Sequence, residues 1–133
     1  MRSVLIVCDE YPFLLSSYSW LRQDARVGRI EVTTDETEAV ALAASYHPDV
    51  VVFDAMPTGG YGLSTVRRLR ESNPGIDVVV TMANDCPAGL ASSALASGAV
   101  GVLTRDRFSA DACLKLAGET ASARSSRSDE LYG

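Results

Sequence analysis

The run Val50-Val51-Val52-Phe53-Asp54 constrains this chain more than any other stretch. Four apolar residues, three of them β-branched, lead straight into a carboxylate. Pro48 precedes the run, and the turn-forming residues Pro57-Thr58-Gly59-Gly60 follow it. A short, uniformly apolar segment bounded in this way predicts a strand buried on both faces, as in a parallel sheet. Asp54 then stands at the strand's carboxyl end, where open α/β sheets place their ligands. Taken alone, Asp54 does no more than end a strand. The rest of the chain decides between the two readings.

Four more short runs of the same kind recur along the chain. Val4-Leu5-Ile6-Val7 ends in Cys8-Asp9-Glu10, Ile30-Glu31-Val32 alternates like an edge strand, and Val78-Val79-Val80-Thr81 and Val100-Gly101-Val102-Leu103 complete the set. Helical patterns lie between them. Pro12 suits a helix first turn, and Leu14, Tyr18 and Leu21 follow on one face. Asp35 with Glu38 reads as a variant capping box, opening a helix with Ala39, Leu42, Ala43 and Tyr46 on one side. A third helix begins near Gly62, with Leu63, Val66 and Leu69 inward and Arg67, Arg68, Arg70 and Glu71 solvated. A fourth, rich in Ala and Ser, covers Ala88 to Ser97, with Leu90, Ala91, Ala94 and Leu95 inward and Gly98 as its C-cap. Ser109 caps a last helix that turns Ala110, Cys113, Leu114 and Ala117 inward. Residues 1–121 therefore read as one domain, and 122–133, almost without apolar side chains, as a disordered tail or linker.

Such alternation implies a doubly wound five-stranded parallel sheet with helices on both faces, of flavodoxin-like order 2-1-3-4-5. A chain of 133 residues is long enough to bury about two-thirds of the surface its unfolded form exposes. The order puts the first and third strands side by side at the switch point, so Asp9, Glu10 and Asp54 converge in one crevice. Carboxylates crowded together repel unless a cation sits among them, and oxygen donors suit Mg²⁺. Arg105, after the fifth strand, reaches the same rim, and Thr81 adds a hydroxyl. A cation beside acids is a phosphoryl-binding arrangement. No glycine-rich phosphate loop is present, which favours a phosphoryl group on the protein over a nucleotide.

These residues resemble the receiver domain of two-component response regulators. The resemblance rests on 4–10, on Pro48 to Asp54, on Gly62-Leu63, on Thr81-Met82 and on Gly98 to Asp106, and it covers about Ser3 to Ala121. Thr81-Met82 and Arg105-Asp106 are most similar to the branch that carries a helix-turn-helix output domain. The resemblance implies phosphoryl transfer from a sensor histidine kinase to Asp54. It also implies Mg²⁺ held by Asp9, Asp54 and the backbone carbonyl of Met56.

The chain departs from the family pattern within that site. Cys8 stands where an acidic residue is usual, and reads as a small buried hydrophobe rather than a redox sensor. Glu10 is a candidate replacement ligand. Arg105 stands for a lysine, an exchange that is not conservative. Val102 replaces an aromatic, Met56-Pro57 comes one position early, and the stretch from Thr81 to Gly98 is slightly long, so the switch hydroxyl position falls on Thr81 or on Ala83. These departures imply an atypical receiver, with weak or absent Mg²⁺ binding and phosphorylation.

Three functions follow. The first is an atypical receiver acting as a regulatory interaction module, no enzyme beyond self-phosphorylation at Asp54. The second is a conventional Mg²⁺-dependent switch, and the third a flavodoxin-like small-ligand-binding protein. A net charge of −5 argues against direct nucleic-acid binding, so DNA is expected only through an output domain outside this sequence. No apolar run approaches ~18 residues, which speaks against a membrane span. Three widely spaced cysteines fit reduced thiols in cytoplasm. A homodimer is expected through the face bearing Leu95, Arg105 and Asp106. His47 is read as a helix-end residue, and Trp20 and Tyr18 as packing residues of the first helix.

Overall fold

Every apolar run of the sequence becomes a strand of one parallel sheet, in the order β2-β1-β3-β4-β5. The computed structural model describes residues 1–56 and 60–118. In chain order these contain β1 (Arg2–Val7), α1 (Tyr11–Arg22), β2 (Val27–Thr33), α2 (Glu36–Tyr46) and β3 (Val50–Asp54). There follow α3 (Leu63–Ser72), β4 (Asp77–Met82), α4 (Leu90–Ala96) and β5 (Gly101–Thr104). A final helix, α5, runs over 110–118. The expected tail, 122–133, lies outside the described residues.

Because strand side chains alternate, each strand feeds two cores. Leu5, Val7, Val51, Phe53, Val78 and Val80 face α2, α3 and α4, where Ala39, Ala43, Val66, Leu69, Leu90 and Ala94 meet them. Val4, Ile6, Val50, Val52 and Val79 face the opposite way, toward Phe13, Leu14 and Leu21 of α1 and Cys113, Leu114 and Ala117 of α5. Every residue of β3 and β4 is buried, as a strand covered on both faces requires. Each fully buried valine or leucine contributes about 1.5–3 kcal/mol.

The helix ends obey their sequence signals, with corrections. Asp35 Oδ1 accepts from the N–H groups of Thr37 and Glu38, but the reciprocal half of the box is absent, because Asp35's own N–H donates to Thr33 Oγ1. Ser109 Oγ accepts from Ala112 N–H and caps α5 as expected. His47 ends α2 in the left-handed region, at φ 52°, with its N–H on the Ala43 carbonyl. In α4 the expected inward face is too wide. Leu90 and Ala94 are buried, but Ala91 is exposed and Leu95 is 50% exposed. A seven-residue helix lying on the sheet can bury only one i, i+4 row.

Candidate functional site

The parallel registers gather the site at the carboxyl ends of the strands. Val7 pairs with Phe53, Asp54 with Thr81, and Met82 with Thr104. Hence the residues that follow β1, end β3 and β4, and follow β5 share one rim. Thr81, not Ala83, stands in register with Asp54.

Asp54 is the centre of this rim, its side chain fully buried. Arg105 grips it with two parallel bonds, Nε to Oδ1 at 3.1 Å and Nη2 to Oδ2 at 2.6 Å. Thr81 donates its hydroxyl to Oδ1 at 2.7 Å. Both carboxylate oxygens are therefore engaged by protein donors. The forked, charge-assisted form of the contact is open to arginine but not to lysine. Hydrogen bonding to Asp54 raises the Arg105 pKa, so the guanidinium stays charged. Arg105 Nη2 also donates to Met56 Sδ at 3.1 Å, and the guanidinium carbon lies 5.8 Å from the centre of the Phe13 ring.

The other expected site residues separate into two groups. Asp9 is exposed and lines, with Cys8, Asp54 and Met56, a cleft of about 230 Å³. Glu10, by contrast, caps α1: its Oε2 accepts from Phe13 N–H at 2.9 Å, an N-terminal contact worth about 1 kcal/mol. One of its two oxygens is thus committed to the helix. Cys8 is 3% exposed, and burial pushes its thiol up to about 12, with the nearby Asp54 carboxylate adding to the shift. At neutral pH it is an uncharged thiol whose sulfur lies 3.4 Å from the Glu10 carbonyl oxygen. Its position carries no anion.

The donor chemistry can be tested against Mg²⁺. A hard cation takes carboxylate and carbonyl oxygens. Here Cys8 offers neutral sulfur, Glu10 is a helix cap, and both Asp54 oxygens are held by a cation and a hydroxyl. Among the described residues no group of three or more His, Cys, Asp or Glu side chains is arranged to hold a metal ion. The set does not fit a built Mg²⁺ site.

Several contacts were not visible in the sequence. Phe13 was not among the residues expected on the inward face of α1, yet it is buried and its ring faces Arg105. Glu36 lines the Asp9–Asp54 cleft, and its Oε2 accepts from Thr65 Oγ1. Its signal is topological, since the turn after β2 opens at the same rim as those after β1 and β3. Gly60, Tyr61 and Gly62 form three successive left-handed residues before α3. Val102 is half-buried. Arg67 and Arg68 are solvated as expected, while Arg70 donates to the Pro74 and Ile76 carbonyls.

What the arrangement offers is a single buried carboxylate at a cleft mouth, flanked by one cation and one hydroxyl. Oxygens of a phosphoryl group would find the same two donors. Residues 4–115 match the response regulator receiver domain family. The probable transcriptional regulatory protein TcrX of Mycobacterium tuberculosis is 38% identical over 84 residues, 62% of this chain and 35% of that protein. The protein-glutamate methylesterase/protein-glutamine glutaminase 4 of Geobacter metallireducens is 35% identical over 107 residues, 79% of this chain and 30% of its own length. This sequence thus spans about a third of the curated relatives it matches. Among solved structures, the signal receiver domain of NarL from Mycobacterium tuberculosis superposes with a TM-score of 0.75 at 26% identity, covering 88% of this chain and 96% of that one.

Proposed function

The chain belongs to the response regulator receiver domain family, and from that premise we propose that it is a receiver whose Asp54 is a poor phosphoryl acceptor. Its work is that of a two-component signalling domain. In this reading the output is carried by protein contact rather than by a phosphorylation cycle. The observation that supports it is the forked Arg105–Asp54 pair. A carboxylate acts as a nucleophile through a free lone pair. Here the guanidinium takes a lone pair on each oxygen and draws charge from the carboxylate, which weakens it as a nucleophile, in a site where Cys8 supplies no negative charge. Mg²⁺ binding is weak in the same reading, with Asp9 and the Met56 carbonyl as the donors left over.

One observation favours the conventional switch as a second reading. Thr81 and Arg105 already converge on Asp54, where a phosphoryl group would need them. The small-ligand reading has no support in the family. Partners of this module are a sensor histidine kinase or another protein, and DNA only through a domain outside this sequence. Homodimer contacts fall on the face that exposes Leu95. The cytoplasmic role belongs to the same reading, with three cysteines that form no disulfide pattern in support, and no helix among the described residues is long and apolar enough to cross a membrane.

Intact-mass spectrometry after incubation with Mg²⁺ and acetyl phosphate tests this function, with Asp54→Asn as control. We expect no gain of one phosphoryl group, or a small fraction only. Near-stoichiometric labelling that disappears in the control would establish the conventional switch instead.

A further inference from the structure

Arginine has a long, flexible side chain, and holding it in one forked geometry costs rotamer freedom. Something besides Asp54 must select that geometry. Three observations identify it. The guanidinium lies within cation–π range of the Phe13 ring, at 5.8 Å. Phe13 is itself fixed twice, by its N–H on Glu10 Oε2 and by the Phe108 ring, edge-on at 5.4 Å and 80°. Phe108 closes the turn that carries Arg105, its N–H on the Arg105 carbonyl, and it stacks on Trp20 at 6.1 Å and 29°. Trp20 is 44% exposed on the outer side of α1. The contacts thus run without a gap from the buried carboxylate to the surface of α1.

We propose that Phe13 is the positioning residue of the Arg105–Asp54 pair, and that Phe108 and Trp20 behind it couple that pair to the α1 surface. The inference deepens the reading in which the pair holds the site closed. It gives Glu10 a role there as well, since the cap sets where the Phe13 backbone stands. The ring does not react. It limits the positions open to the guanidinium and shields the fork from water.

The test is arginine-labelled NMR on the full chain. We expect one Arg Nε–H signal protected from solvent exchange, absent in both Asp54→Asn and Arg105→Lys. Phe13→Leu should speed its exchange about fivefold or more, while Phe13→Tyr, which keeps the ring, should preserve protection. Phe108→Leu, which removes the support but leaves Phe13 in place, should give an intermediate rate and serves if Phe13→Leu does not fold. Leu14→Ala controls for general loosening, since Leu14 packs in the same core. Asp54→Asn should also shift Trp20 emission in the native background and not in Phe13→Leu. Unchanged exchange in Phe13→Leu, or equal acceleration in Leu14→Ala at matched Tm, would overturn the positioning role. A Trp20 shift that survives Phe13→Leu would overturn the coupling. Acetyl-phosphate labelling reads the functional proposal separately: a readily labelled chain with a Phe13-dependent Nε–H signal would sink that proposal and leave this one standing.

Discussion

At the scale of single residues, the site is a problem of charge. A fully buried carboxylate tolerates folding only when it is paired, and removing one partner of such a pair costs more than the pair contributes. We therefore expect Arg105→Ala to destabilise by about 3 kcal/mol, and Asp54→Asn by less, because the freed guanidinium is 24% exposed and reaches water. Urea denaturation of the two variants checks the asymmetry, and equal losses would contradict it. Thr81→Val keeps shape and deletes a donor to a charged acceptor, for an expected loss of about 2 kcal/mol. The cysteines give a pH dependence. Burial pushes both Cys8 and Cys113 up to about 12 from 9.0, so the unfolded chain loses their protons first. Below about pH 9 their contribution is fully present, and it is lost as pH rises toward 12. Denaturation midpoints should fall across that window, and the fall should be shallower in Cys8→Ala/Cys113→Ala. An identical slope in the double variant would show that other groups carry it.

Elements explain what was legible in the sequence and what was not. Strands buried on both faces announce themselves, because Val50 to Phe53 and Val78 to Val80 have no polar position to dilute the signal. β2 is longer than Ile30 to Val32: its buried ends, Val27 and Thr33, are cut off from an alternating run by the exposed Gly28 and Arg29 and the exposed Val32, so pattern alone could not bound it. Asp54, Arg105 and Thr81 were legible because strand order places strand ends, and side chains at strand ends follow. Phe13 was not, since an inward aromatic on α1 looks the same whether it meets a valine or a guanidinium. Glu10 looked like a ligand because its sequence position is shared by a helix cap and a crevice acid. The capping contact makes a test: Glu10→Ala should cost about 1 kcal/mol in thermal unfolding and leave Mg²⁺ titration unchanged. Gly62 shows a tighter constraint. At φ +71°, a Cβ there would stand 2.7 Å from the buried Phe53 ring. Strain and overpacking together predict a loss of about 3 kcal/mol for Gly62→Ala, read in urea denaturation.

For the whole molecule, the two cores and the rim are separable. The valine strands supply the packing of the sheet whatever stands at position 105, while the pairing of the buried Asp54 depends on that position, so the chemistry of the carboxyl edge varies within what that pairing allows. Cys8 and Arg105, read from the sequence as departures from the family pattern, both stand on that edge. The Arg105–Asp54 fork has a consequence for timing. A phosphoryl bond is a clock, because its hydrolysis ends the message. A contact between two side chains of one polypeptide opens and closes without a bond being made or broken, so it carries no such clock. Under the function proposed here, a receiver closed in this way would transmit quantity rather than history: the size of the response would follow copy number, and its duration synthesis and proteolysis.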